Sequence, residues 1–552
     1  TCALPILAVS AIAQSNTGNL VVSVSDQSGV IPGASIVMTD NQTGRERTLV
    51  TGADGSVSIP QLEVGAYTVK ISAANRKTKI YNDVKINIGQ TYALNASLEA
   101  GNITETVEVS AGAELINSST GEISRTISSR EIQDLPLNGR NPLALIALQA
   151  GTSSNGATNT TINGQRTSFT NITRDGLNIQ DNFIRSNATD FVPDRPNTDD
   201  VGEFTITNQN AGVESGYGAS QVQLVTPRGS NDFHGSAYIY NRNSKFTANS
   251  FFNNANKVVK PFLNRNQFGG KFSGPILKNK VFFFGAYESF RLRQASSQTR
   301  TVLTPAAKSG VFTYLDATGA TQTLNILNAT YQQVIGSPIT AIDSIIAARV
   351  LSKLPAGNSA NCGDTRNTTC YLFNQKSNQD REALTLRFDG DVTAKHSLST
   401  VYSWRKETNM RPDIDNGGYN DVPFGFQGGP AYTTNSAWRW TPTSRLTNEV
   451  RVAMQLTRPK FGRNNEPTDV FLSLPLVSST ESTFQKQGRN TAIWTAQDNG
   501  VLTLGDHTVR FGATANWYRV APFGPPAFSG STIPTVGVGV ATSTTGLNFA
   551  AF

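Results

Sequence analysis

Alternation is the dominant pattern in the second half of the chain. Apolar and polar positions take turns along segment after segment, the two-residue period of a strand with one apolar and one polar face. In Gln267-Phe268-Gly269-Gly270-Lys271-Phe272-Ser273-Gly274 the even positions are apolar or small and the odd ones mostly polar. Leu384, Leu386 and Phe388 alternate with Thr385, Arg387 and Asp389, and Leu398, Tyr402 and Trp404 with Ser397, Ser399, Ser403 and Arg405. Val450, Val452, Met454 and Leu456 oppose Glu449, Arg451 and Gln455, while Val509, Phe511, Ala513, Ala515 and Trp517 oppose Arg510, Thr514 and Asn516. A soluble sandwich would alternate in the same way, so the connections have to decide. Gly505-Asp506-His507 is a tight turn, whereas 296–378 is one long polar connection. Short turns at one end and long loops at the other predict a transmembrane antiparallel β-barrel. Tyr238, Tyr240, Tyr402, Trp404, Trp438, Trp440, Trp517 and Tyr518 are expected to supply its interfacial aromatic girdles.

The first half has a different texture. Residues 18–100 read as a compact all-β sandwich: Leu20 to Asp26, Ser35 to Thr39, Arg47 to Thr51, Val57 to Ile59, Val64 to Val69 and an edge segment Val84 to Ile88, with turn signals such as Pro32-Gly33 and Asp54-Gly55 between them. Residues 101–112 form a polar linker carrying one alternating stretch, Ile103 to Ala111. From 113 to 230 the pattern is mixed α/β. Ser128 is the expected cap of a helix with Glu131 three residues on, stopping before Pro136. A second helical piece follows Pro142, with Leu143, Leu145, Ile146 and Leu148 as its apolar side.

The fold class expected is therefore mainly β: a sandwich, a mixed α/β domain, and over 231–552 the first part of a barrel. That barrel is expected to be incomplete, because plugged barrels have about 22 strands and the chain after Phe233 supplies about half that number. No apolar run reaches the ~18 residues of a membrane-spanning helix, so any crossing is by strands in a closed barrel. Residues 1–13 read as the remnant of a secretory signal peptide ending in the small residues Ala11 and Ala13, the alternative being a buried strand or helix.

Composition fits strands with one polar face and long polar loops. Charged residues make up 16% of the 552, below the roughly 25% of soluble domains. The net charge of +7 raises the question of a nucleic-acid partner, but the basic residues are spread through polar segments, with no patch interleaved with aromatics. Once Cys2 has left with the signal peptide, Cys362 and Cys370 are the remaining pair. A disulfide suits an oxidising exterior; zinc is the rival, with no neighbouring Cys or His to complete four ligands. His234, His396 and His507 show no metal-ligand spacing, and no G-x-S-x-G elbow or phosphate loop occurs. Neither an enzyme, nor a cofactor, nor a metal site is expected.

Two resemblances sharpen this reading. Gly33-Ala34, Thr43-Gly44, Thr51 to Gly55, and Leu62 through Gly65-Ala66-Tyr67 resemble the carboxypeptidase regulatory-like domain, which implies a prealbumin-like, carbohydrate-binding-like sandwich without catalysis. The run from Glu131 through Leu135, Pro136, Leu137, Asn138, Gly139 and Arg140 to Asn141 is similar to the opening of the plug in Oar-like TonB-dependent outer-membrane transporters. Asn163, Gly164 and Arg166, then Asp175 and Gly176, match the plug's centre, and Val225 to Gly235 its junction with the barrel. The sequence departs from that family at Ala219-Ser220-Gln221, which implies less close packing there.

Glu105, Thr106, Val107, Glu108 and Val109 are similar to the TonB box of the same family. A β-competent stretch on a polar linker is what strand addition to a partner needs, but the stretch could equally be the sandwich's last strand. The resemblance implies an outer-membrane receptor, in contact with lipid, whose plug is remodelled by TonB, drawing on the inner-membrane proton gradient, to admit an extracellular substrate. Carbohydrate, siderophore and peptide substrates all remain open. The alternative is an outer-membrane adhesion or structural protein with a glycan-binding sandwich.

Overall fold

The computed structural model describes residues 6–10, 17–110, 121–154, 160–181, 183, 193–212, 218, 220–338, 340–414, 417–443, 445–464, 471–473, 477–481, 484–504, 507–524, 535–537, 540–542 and 548–550. Ala11, Ala13, Ala111, Gly112, Ala219, Gly505 and Asp506, on which sequence expectations rest, lie outside these residues.

Residues 18–97 fold as two packed sheets. In one, Gly18–Asp26 lies between Ser56–Leu62 and Thr91–Ser97. The other runs Thr106–Ser110, Thr78–Ile86, Gly65–Ser72, Ser35–Asp40, Glu46–Val50. Leu20, Val22 and Val24 of the first face Ile36, Met38, Val69, Ile71 and Val84 of the second in one apolar core. Val84 to Ile86, expected at an edge, pair with Gly65 to Tyr67 on one side, while Thr106–Ser110 flanks the other side of the same strand over Thr78 to Asn82.

The next unit, residues 121–225, is built on a five-stranded sheet ordered Ile123–Ile127, Glu203–Gln209, Ser220–Val225, Thr170–Arg174, Leu177–Asn178. Helix Ser129–Asp134 begins with a reciprocal capping box between Ser128 and Glu131 and ends at Leu135, before Pro136. Pro142–Leu148 is a 3-10 helix that buries Leu143, Leu145 and Ile146; Leu148, expected on the same apolar side, is 68% exposed. Where looser packing was expected, Ser220 and Gln221 are each 1% exposed. They pack closely because polar partners meet them: Ser220 Oγ lies 3.1 Å from Thr170 Oγ1, and Asn171 Nδ2 donates to Gln221 Oε1 at 2.9 Å.

The third unit is a large antiparallel sheet. His234–Asn243, Leu263–Leu277, Val281–Leu303, Gln379–Thr393, His396–Met410, Gly425–Thr443, Leu446–Thr457, Gln487–Leu504 and His507–Phe523 pair each with the next. The first and last of these are not neighbours, so the wall is curved but not closed. Ile6–Ser10, within the stretch expected to be a signal-peptide remnant, pairs antiparallel with His507–Phe523. The backbone groups on that open edge are a ready template for any extended segment.

Turns at one end of the wall are short: Leu277 to Val281, Thr393 to His396, Thr443 to Leu446, Leu504 to His507. Connections at the other end are long, and Leu303, Ala307, Val350 and Leu354 form a small core there with Val302 and with Val477 of another long connection. Cys362 of this connection is disulfide-bonded to Cys370 of the strand Thr368–Lys376 that follows it. By the outer-membrane pattern the short-turn end is periplasmic and the long-loop end extracellular.

Register sorts the faces as the alternation predicts: Leu398, Val450, Val452 and Phe511 are exposed on the outer face, while Arg387, Ser403, Glu449, Arg451 and Gln455 are buried on the inner one. Trp404 pairs with Tyr432, and Trp494 with Trp517, in one outer aromatic band. Trp438 and Trp440 lie about 20 Å further along their strand towards the short turns. Tyr238, Tyr240 and Tyr518 do not join these girdles: Tyr238 and Tyr240 turn inward beneath the Arg140 guanidinium, and Tyr518 shares the face of Thr514 and Asn516.

Ile71→Ala is expected to lower the stability of the sandwich by about 2–5 kcal/mol, read from urea-dependent hydrogen exchange over residues 65–86 of the full chain. A loss under about 1 kcal/mol would contradict a close-packed core at this position.

Candidate functional site

The second unit sits against the inner face of the wall and carries three pairs of residues with positive φ, two of them at contacts with the wall. Asp175 (φ 50) and Gly176 (φ 79) form the two-residue turn between Thr170–Arg174 and Leu177–Asn178. Both positions must be left-handed for such a hairpin, which is why Asp-Gly is favoured there. The turn is tied down on both sides: Asp175 accepts from Thr226 N at 2.9 Å and Thr226 Oγ1 at 2.6 Å, and its carbonyl accepts from Asn435 Nδ2 of the wall at 2.6 Å. Asn163 (φ 50) and Gly164 (φ 71) make a second such pair, with Asn163 donating to the Asn208 carbonyl and Arg166 exposed beside it. The third is Gly139 (φ 89) and Arg140 (φ 53).

Arg140 is the hub of the first contact with the wall. Its guanidinium pairs with Asp199 of its own unit and approaches Glu288 of the wall at 3.4 Å, over the ring of Tyr238 at 4.1 Å. Tyr238 Oη donates to Glu288 at 2.6 Å. Neighbouring Asn138 accepts from Arg265 Nη1 at 2.6 Å, while Leu135 and Pro136 are exposed at the helix end.

A second contact was not singled out from the sequence. Arg174 lies 3.6 Å from Asp194 and 3.5 Å from Asp200, and Arg405 of the wall contacts both carboxylates, at 3.3 Å for Asp194. Thr385 donates to Asp200 at 3.0 Å and Ser403 to Asp194 at 2.7 Å. Burial pushes the Asp200 carboxyl up, but Arg174 and Arg405 outweigh it and hold the group below the usual carboxylate range. Arg387 of the wall donates to the Thr226 carbonyl at 2.7 Å, and Arg489 pairs with Asp181. Alternation placed Arg387 and Arg405 on the inner face, but no local signal tells which carboxylate each would meet.

At the extracellular end the two units enclose a cavity of about 300 Å³, lined in part by Arg195, Gln379, Glu407, Asn409 and Gln427. Glu407 accepts from Gln379 Nε2 at 2.6 Å and Asn409 Nδ2 at 2.7 Å. At the opposite end, Glu203 accepts from Ile88 N of the sandwich at 2.8 Å. Burial pushes its carboxyl up to about 7, against the pull of that N–H.

Glu105, Thr106, Val107, Glu108 and Val109 lie on the sandwich. Thr106–Ser110 pairs in parallel with Thr78–Ile86, Val107 opposite Lys79 and Val109 opposite Tyr81. Val109 packs on the sandwich core, the Glu105 carbonyl accepts from Thr78 N at 2.8 Å, and Thr106 and Glu108 are exposed. The strand is the last in its sheet, with no neighbour on its outer side among the described residues.

Residues 225–552 match the family described as outer membrane beta barrel domain, and residues 19–99 the carboxypeptidase regulatory-like domain. Over 319 residues, 53% of this chain, the sequence is 24% identical to the TonB-dependent transporter Oar of Myxococcus xanthus; the match spans 28% of that relative's length. Among solved structures, the outer membrane transporter YddB from Escherichia coli overlaps 77% of this chain and 51% of its own, with a TM-score of 0.48 and 9% identity. FpvA of P. aeruginosa, solved bound to heterologous pyoverdines, overlaps 74% and 53%, with a TM-score of 0.40 and 9% identity.

Asp200→Ala leaves two buried guanidiniums short of a carboxylate and is expected to cost about 3–5 kcal/mol, measured by urea-dependent hydrogen exchange over residues 170–174 and 203–209. Glu203 gives a pH dependence of defined sign. Its carboxyl is raised on folding, so its contribution is complete below the ordinary value of 4.5 and is lost as pH rises through about 7. The thermal midpoint of the junction between residues 86–90 and Glu203 should therefore fall from pH 5 to pH 8, and Glu203→Gln should flatten that fall; an unchanged slope in the variant would assign the dependence to another group.

Proposed function

Since this chain belongs to the outer membrane β-barrel family, we propose that it acts as a TonB-dependent receptor and transporter, with residues 113–230 as a plug that blocks the barrel lumen until it is remodelled. The observation that carries this reading is how the plug is held. Its contacts with the wall are buried charge pairs and hydrogen bonds around Arg140, Arg174, Asp175 and Asp200, whereas its apolar core is made of its own residues, such as Ile172, Phe204 and Val222. A unit bound in this way can shift without exposing its core, provided water replaces the partners it leaves.

Substrate would enter from the long-loop side, where the cavity beside Arg195 and Glu407 offers amides, a carboxylate and a guanidinium. That lining suits the hydroxyl and amide groups of carbohydrates and peptides, and a siderophore of similar polarity. TonB would add a strand to Glu105, Thr106, Val107, Glu108 and Val109, whose outer edge has no neighbour among the described residues. Passive binding could not drive the cycle, since a ligand shifts an equilibrium only by its differential affinity for the two states. An adhesin reading is less favoured, because a glycan-binding sandwich would have to face outward, and this one contacts the strand ends beside the short turns.

Calorimetric titration of the host TonB C-terminal domain with a peptide spanning residues 102–112 tests the energised part of the proposal. Binding at about micromolar Kd, abolished by Val107→Pro, is expected. Absence of binding by either peptide would remove the TonB contact from this segment and bring the adhesin reading forward.

A further inference from the structure

The sandwich does more than hang from the plug: it is docked over the mouth of the lumen. Glu63 accepts from Arg439 Nη1 at 2.6 Å and lies 3.8 Å from Arg387, both on the inner face of the wall. Arg228, in the segment just before the wall's first strand, donates to Asp40 at 2.6 Å and to Gln42 Oε1 at 2.8 Å. Arg45 pairs with Asp391 at 2.7 Å and donates to the Ala394 carbonyl at 3.3 Å. Gln61 donates to the Asn499 carbonyl at 3.1 Å, and the Gln42 carbonyl accepts from Asn231 N at 3.0 Å. The wall residues among these cluster at the short-turn ends of three different strands, and Arg228 and Asn231 lie in the segment that leads into a fourth, so the sandwich spans the opening rather than touching one rim.

Two features mark this contact as releasable. The sandwich core contains no plug or wall residue among the described residues, so undocking leaves that core intact. The wall cations also keep partners when it leaves: Arg439 is bonded to Glu449 at 2.7 Å, and Arg387 to Asp389 at 2.8 Å. Burial alone would raise the Glu63 carboxyl, yet Arg439, Arg387 and Arg228 bring it to about 2, so it is charged at any physiological pH.

We propose that the sandwich is a detachable cap on the periplasmic mouth of the lumen, latched by Glu63 and the neighbouring charge pairs, and that it must undock before cargo can leave. The assignment of this end as periplasmic rests on the transporter reading. The Thr106–Ser110 strand belongs to the cap itself, so tension applied there would reach the latch as well as the plug.

The test uses the full chain in detergent micelles with Cys2→Ser, and needs neither TonB nor cargo. Ser399→Cys places a thiol in the cavity between cap and wall, and its rate of reaction with a bulky maleimide reports docking. Slow labelling is expected, rising about ten-fold with Glu63→Gln, the effect of losing one charge-assisted bond. Asn409→Cys at the other end of the lumen should label at the same rate in both backgrounds, which separates undocking from unfolding. Arg45→Ala, at a partly exposed pair, is the variant less apt to disturb folding and should give a smaller rise. Fast labelling of Ser399→Cys in the parent, or no rise with either variant, overturns the cap. Failure of the TonB titration alone leaves it standing as a docked domain of an outer-membrane protein.

Discussion

Within a bilayer every backbone N–H and C=O must find its partner inside the protein, because the hydrocarbon offers none. In this chain that constraint produces one continuous antiparallel ladder from His234 to Phe523. The two-residue period of a strand then turns every second side chain inward. A wall that must present Leu398, Val450 and Phe511 to lipid necessarily presents Ser399, Arg451 and Thr514 to the lumen. The polar lumen is thus a geometric consequence of the apolar exterior.

Such a lumen has to be filled by something able to satisfy it. Buried arginines at Arg387, Arg405 and Arg439 cannot be left unpaired, and each meets carboxylates or carbonyls brought by the second unit or the sandwich. The net worth of such pairs is modest, since desolvation offsets most of the attraction, while the loss of a single partner is expensive. Contacts of this kind specify one docked arrangement without gluing it permanently. Apolar cores kept within the sandwich and within the plug make the same separation possible from the other side.

The two ends of the lumen are closed by different means. At the extracellular end, long connections build a small core of their own and leave a polar cavity beside the plug. At the short-turn end the sandwich lies across the strand ends, and its last strand, Thr106–Ser110, leads directly into the segment before the plug. Its pairing with Thr78–Ile86 also explains why two readings of Glu105 to Val109 were both open. Competence to add to a sheet edge is the same property whether the edge belongs to the sandwich or to a partner.

What the sequence by itself determined is everything set within a few residues. Alternation marked the wall and its two faces, Ser128 and Glu131 marked a helix start, and Pro136 marked its stop. These depend on period and local φ, which short stretches carry complete. Aromatic residues were less legible: Tyr238 and Trp438 look alike in sequence, and only register shows that the first faces Arg140 and the second faces outward. Tertiary structure alone decided that Glu63 would meet Arg439, Arg45 would meet Asp391, and Asp200 would meet both Arg174 and Arg405. Such partners lie far apart along the chain and share no period. They are joined by the curvature of the wall and the depth to which each unit sits in it, quantities that no short segment encodes.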